Sequence, residues 1–145
     1  SDVYKRQLLK SRPYTEYQLR QKLSMGGYPQ DAQEEAISYV KSYHYIDDRQ
    51  YAMDYIEYHQ ESKTKQKLLQ SLMSKGLSKE LILECFDEIV GDRKKELEEE
   101  QILKILRKKN YDPEQWTFEE KQRLMASLYR KGFSSELIHV HFYLT

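Results

Sequence analysis

Asp47 and Asp48 are adjacent carboxylates, a pairing that can ligate a metal or divide acid and base work between two groups. Such chemistry also needs a base, a nucleophile or a further ligand at definable spacing, and the sequence supplies none. His139 and His141 stand two apart, which points them to different faces of a helix, unlike the i, i+4 pair of a zinc site. His44 and His59 are isolated, and Cys85 falls on an apolar stripe, where an inert buried thiol is the expectation. Gly26-Gly27 follows a helical pattern without the Lys-Ser/Thr partner of a phosphate loop. The expectation is therefore a protein that is not an enzyme, with no metal and no cofactor. The two acids, placed just before Tyr51-Ala52, are read instead as caps and dipole partners of a helix start.

The cations sort by position. Arg93 to Glu100 mixes signs and reads as an ordinary solvated helix face. Arg107, Lys108 and Lys109 end one predicted helix, and Arg130 and Lys131 end another, where the helix dipole by itself favours positive charge. Lys63, Lys65 and Lys67 instead start a helix and oppose its dipole, which makes them the best local sign of contact with phosphate or an acidic partner. Lys75, at the far end of that helix, joins these candidates. Thirteen tyrosines are present, and those at 39, 43, 45, 51, 55 and 58 crowd one stretch. Most are expected to pack with ring inward and hydroxyl wet, a minority to stack on bases or anchor a partner.

The elements that carry these residues follow from an internal repeat. Leu, three residues, Leu, three residues, Gly and then a bulky apolar residue occurs three times: Leu19, Leu23, Gly27, Tyr28; Leu68, Leu72, Gly76, Leu77; Leu124, Leu128, Gly132, Phe133. Leucines four apart share a helical face, and a glycine four residues later can stop the helix in the left-handed conformation. Downstream, Ala32, Ala36, Ile37 and Val40 correspond to Leu81, Cys85, Phe86 and Ile89, a second amphipathic helix. In the third copy these positions are Leu137, His141, Phe142 and Thr145, so the stripe fades. Upstream helices show at Tyr51, Ala52, Tyr55, Ile56 and at Ile102, Ile105, Leu106. Thr15 with Gln18 and Thr117 with Glu120 have capping-box spacing. The second and third glycines lie seven residues further apart than the first two, and the extra length is assigned to a loop at 110–117, with Asp112-Pro113 starting a helix.

The expected fold is all-α: three tandem three-helix repeats, residues 1–46, 47–91 and 92–145, stacked into an elongated curved array, because one such unit buries too little apolar surface to stand alone. Leu, Ile, Val and Phe make up 33 of the 145 residues, enough for a folded chain. With 24 basic and 24 acidic residues the net charge is zero, so nucleic-acid affinity must come from a local basic face. No window is long and apolar enough for a membrane span, no apolar signal region opens the chain, and a single cysteine suits a reducing compartment. A cytoplasmic monomer that does not bind membranes is expected.

The run Tyr45-Ile46-Asp47-Asp48-Arg49-Gln50-Tyr51-Ala52, followed by Leu68, Leu72 and Lys75-Gly76-Leu77, preceded by Arg12-Pro13 and Thr15 to Leu23, and joined by Lys131-Gly132-Phe133, resembles the RecX regulatory proteins over nearly the whole chain. The resemblance implies a non-enzymatic modulator of the RecA recombinase. It would lie along the groove of the RecA–DNA filament, contact single- or double-stranded DNA there, and restrain strand exchange and the SOS response. Thr64 departs from the pattern, since family members often carry glycine there. Residues 1–7 resemble a non-native scar, and the end at Thr145 is expected to be artificial, since some relatives continue past three repeats. Two other readings stay open: a free-standing DNA-binding module of helix-turn-helix type, and a generic helical-repeat scaffold for peptides.

Overall fold

A computed structural model describes residues 14–143. Arg12-Pro13, the scar-like stretch at 1–7, Thr145 and the expected first helix of the first repeat lie outside the described residues. Within them the chain is all-helical, with no strand: α1 (Glu16–Met25), α2 (Gln30–Ser42), α3 (Asp48–His59), α4 (Lys65–Ser74), α5 (Lys79–Val90), a short 3-10 turn (Gly91–Arg93), α6 (Lys94–Lys108), α7 (Phe118–Arg130) and α8 (Ser135–Tyr143). The Leu-Leu-Gly pattern forms the same construction in each place, a helix, a left-handed stop and a second helix.

Local chemistry sets the helix ends. Thr15 and Thr117 each accept the backbone N–H three residues on, while Gln18 and Glu120 reach back to the cap N–H, closing both capping boxes. Asp47, Thr64, Ser78 and Ser134 cap α3, α4, α5 and α8 by the same side-chain acceptance. Gly27, Gly76 and Gly132 adopt φ of 80°, 90° and 88°. After each, the apolar residue donates its N–H to the second leucine of the pair (Tyr28 to Leu23, Leu77 to Leu72, Phe133 to Leu128), which is the six-to-one bond of a Schellman stop. His44 (φ 56°) and Asn110 (φ 55°) end α2 and α6 with the same bonds, although neither is glycine.

By packing, the chain gathers into two compact units. The first comprises residues through Tyr58 with Leu69–Ile89. One of its cores joins Tyr14, Leu19, Leu23, Ala36, Ile37, Val40 and Ile46, with Tyr28 and Tyr39 against it. Ala52, Ile56, Leu72, Leu77, Ile82, Cys85 and Phe86 are also buried in this unit. Thr15, itself buried, donates its hydroxyl to the Lys75 carbonyl at 2.5 Å. The second unit comprises His59–Leu68 with Val90 onward. Its core is Ile102, Leu106, Leu124, Met125, Leu128, Phe133, Leu137 and Ile138, with Ile105, Tyr111, Trp116 and Phe142 packed against it. Fully burying each large aliphatic side chain contributes roughly 1.5–3 kcal/mol.

Two expectations are corrected. Asp112-Pro113 starts a turn rather than a helix: Asp112 accepts N–H groups from Glu114, Gln115 and Trp116, and the helix begins only after Thr117. The seven extra residues are not all loop either. The capping threonine lies four residues before Leu19 and Leu68 but seven before Leu124, so three of them lengthen α7.

Candidate interaction surface

The aspartate pair is absorbed by backbone capping. Asp47 accepts the Gln50 N–H at 3.1 Å, and Asp48 accepts the Glu16 N–H at 2.9 Å. Asp48 thus caps α1, not its own helix, and its burial beside Glu16 raises its carboxyl above the ordinary aspartate value. A depression of about 310 Å³ beside them is lined by Glu16, Lys41, His44, Ile46, Asp47 and Asp48. Lys41 there lies 2.9 Å from Glu16. Among the described residues no group of three His, Cys, Asp or Glu side chains could hold a metal. Cys85 is fully buried with its thiol pushed up by desolvation, which suppresses the thiolate. His141 Nε2 sits 2.9 Å from Glu99, and His139 meets the ring of Tyr143 edge-on, so the two histidines serve separate packing contacts.

The basic candidates fall into three environments. The first is a junction that no single stretch of sequence announces. Gln66, in the first turn of α4, places its side-chain amide 2.9 Å from the Arg130 carbonyl and 3.2 Å from the Lys131 carbonyl at the end of α7; facing two acceptors, the amide is assigned with its nitrogen toward them, so that it donates to both. A β-carbon on Gly132 would lie 3.6 Å from the Gln66 Cβ. Lys65 and Lys67 therefore flank a residue bonded directly to the Arg130-Lys131 backbone. Lys63, in the turn just before, is fixed by Gln101 of α6, whose amide donates to the carbonyls of Gln60 (3.0 Å) and Lys63 (2.9 Å). Head-to-tail contact lets the positive start of α4 and the negative end of α7 offset each other, so the side-chain cations set the sign of the local field.

The second environment is the end of α6, where the predicted triplet divides. Arg107 lines a depression of about 280 Å³ with Glu61, Glu100, Gln101, Lys104 and Leu97, so acids share its surroundings. Lys109 faces a different depression of about 260 Å³ that also contains Trp116 and Arg123. Lys108, between them, is exposed. The third environment belongs to Lys75, whose ammonium sits 5.2 Å from the centre of the Tyr55 ring, a cation–π contact within the first unit. Tyr55 and Tyr51 stack at 6.5 Å, and Tyr43 stacks on Tyr45 at 5.9 Å.

Sequence reasoning missed Gln66, Gln101, Trp116 and Arg123. Neutral amides carry no charge signal, and the roles of Gln66 and Gln101 depend on partners that are 35 or more residues away in sequence. One clue was readable: Lys67 occupies the third helical position after Thr64, where the two other middle helices have Gln18 and Glu120.

Comparisons with known proteins agree with this architecture. Residues 7–39 match the family described as RecX, first three-helix domain, and residues 96–139 match RecX, third three-helix domain. The Regulatory protein RecX of Clostridium botulinum (strain Eklund 17B / Type B) is 34% identical over 128 residues, covering 86% of this chain and 58% of that relative. The Regulatory protein RecX of Caldanaerobacter subterraneus subsp. tengcongensis is 32% identical over 139 residues, covering 95% of this chain and 66% of that one. The chain thus spans somewhat more than half the length of these relatives. Among solved structures, a regulatory protein RecX superposes with a TM-score of 0.75 at 24% identity, covering 99% of this chain and 72% of the other. RecX from Lactobacillus salivarius superposes with 0.77 at 19% identity, covering 99% and 94%. These two show the shared helical fold. No helix among the described residues is long and apolar enough to cross a membrane. With a helix–stop–helix element at each of three places and two RecX three-helix domains matched in order, the chain belongs to the RecX family of regulatory proteins.

Proposed function

We propose that this chain binds the RecA–DNA filament in the cytoplasm as a monomer and modulates it, chiefly by inhibition, through occupancy rather than chemistry, so restraining recombination and the SOS response in DNA repair. Family membership supports the class of partner, and one local observation supports the surface. Each of the other seven described α-helices carries an acid in its first turn, whereas α4 has none and opens with Lys65 and Lys67. At a free helix start each such cation would cost about 0.3–1 kcal/mol, a cost that the adjoining end of α7 offsets here. They stand beside the Arg130-Lys131 end of α7, an arrangement suited to phosphates or to acidic protein surface. Lys63, Lys65, Lys67, Arg130 and Lys131 form the proposed contact, with Lys108 and Lys109 as a second patch. Arg107 shares its depression with Glu61 and Glu100, and Lys75 lies over the Tyr55 ring, so both are assigned a smaller part.

The test is RecA ATPase on single-stranded DNA with sub-stoichiometric protein, together with filament binding at several salt concentrations. The wild-type chain should depress ATPase. Replacing Lys63, Lys65 and Lys67 with Ala should weaken binding and flatten its salt dependence. No effect on ATPase at large excess would refute the function, and an unchanged salt slope would refute the surface. Comparing bare duplex with RecA-coated single strand at one salt concentration separates this reading from a free-standing DNA-binding module.

A further inference from the structure

The depression at the α6–α7 connection combines two cations with an aromatic wall. Lys109, Trp116, Glu120, Arg123, Leu124 and Ser127 line it, and its volume is about 260 Å³. Trp116 is half-buried and braced: its backbone N–H donates to the Asp112 carbonyl at 2.9 Å, and Tyr111 meets its ring edge-on at 5.2 Å while packing on Phe142 at 5.1 Å. Glu120 is committed to the helix start, where its carboxylate accepts the Thr117 N–H at 3.0 Å. Lys109 and Arg123 outnumber that one fixed anion.

We propose that this depression takes one unstacked nucleotide of a single strand, its base against the Trp116 indole and its phosphate held by Lys109 and Arg123. An acidic peptide would need the cations but has no use for a braced indole; a flat base carrying an anion uses both. The depression, about 260 Å³ and open to solvent, offers room for one base. Ser127 supplies the one uncharged hydroxyl on the wall. This inference goes beyond filament occupancy, because it concerns nucleic acid bound without RecA and can fail while that reading stands.

Trp116 is the only tryptophan in the chain, so its emission reports on the site directly. The full chain is titrated at physiological salt with four probes: an octamer of thymidylate, an abasic octamer, free thymidine monophosphate and polyglutamate of matched charge. The thymidylate octamer should quench emission saturably. The abasic strand and polyglutamate should not, and the monophosphate should act at least tenfold more weakly than the strand. By anisotropy of a labelled octamer, Trp116→Ala should lose about tenfold in affinity and Trp116→Phe much less. Replacing Lys109 and Arg123 together with Ala should lower the salt slope by about 0.7, the share of the one phosphate they hold. If Trp116→Ala does not fold, the Lys109/Arg123 variant and the abasic comparison decide. Octamer binding without quenching, equal quenching by the abasic strand or polyglutamate, or a monophosphate as potent as the strand would each overturn the proposal. Loss of filament binding with octamer quenching intact would instead refute the filament reading alone.

Discussion

Gly76 lies so close to Tyr17 that a β-carbon on the glycine would stand 2.1 Å from the Tyr17 Cβ and 2.4 Å from its Cγ. The glycine therefore stops α4 and also lets α1 pack against that stop. Gly27, with a similar φ, has nothing within 4 Å of such a carbon. Alanine at either position meets the left-handed penalty of about 1–2 kcal/mol. At Gly76 the overlap with Tyr17 adds a further cost of about 1–3 kcal/mol, because the atoms it strikes are next to backbone and cannot swing away. Urea unfolding should rank Gly76→Ala clearly below Gly27→Ala, and equal losses would show that the contact with Tyr17 yields easily.

Asp48 is predicted to make stability depend on pH in the less usual direction. Its folded-state carboxyl is raised, mainly by burial, so the folded chain holds the proton more tightly than the unfolded one. That contribution is full below the ordinary aspartate value and is lost as pH rises through the higher folded value. Asp48→Asn keeps an oxygen for the Glu16 N–H and removes the ionisation. It should flatten this part of the curve and hold or gain stability at neutral pH. Asp48→Ala removes the cap and should cost about 1 kcal/mol. Thermal melts of both variants across pH 3 to 7 check the sign; an Asn variant that loses stability only as pH rises would reverse it.

Lys67 is exposed and follows the Thr64 cap at the position where Gln18 and Glu120 complete their boxes. Lys67→Glu should complete a third box, stabilising the chain by about 0.5–1 kcal/mol. The same change should weaken filament binding if α4 meets phosphate or acidic surface. Chemical denaturation and filament pull-down on one preparation read both effects. A stabilised variant that binds as well as wild type would remove α4 from the contact.

His44 holds a left-handed backbone that glycine adopts without strain. His44→Gly should be neutral or stabilising by up to about 1 kcal/mol, the relief of strain set against extra freedom in the unfolded chain. Asn110→Gly should gain less, since asparagine tolerates this region better than most residues. Differential scanning calorimetry of the two variants would test the order.

Much of the fold was legible because the signals are local. Leucine spacing, the Thr15 and Thr117 boxes and the glycine stops depend on residues within one or two turns, so periodicity and capping chemistry define the helices. The end of the helix before Asn110 was legible from its cations and the loop at 110–117, whereas the stop at His44 was not, because histidine carries no local signal for the left-handed region. The same limit explains the surface. Charge could be read along the chain, and it singled out Lys63, Lys65 and Lys67 as opposing their own helix. That Lys65 and Lys67 would flank a glutamine bonded to the carbonyls of Arg130 and Lys131, and that Arg107 and Lys109 would face different depressions, depended on contacts between segments far apart in sequence. Which segments are helical, and where most of them stop, can be read along the chain, since hydrogen bonds within a turn settle that. Which helix ends meet emerges on packing, because burial of the apolar faces, not charge, drives it and the cations are carried to wherever it leaves them.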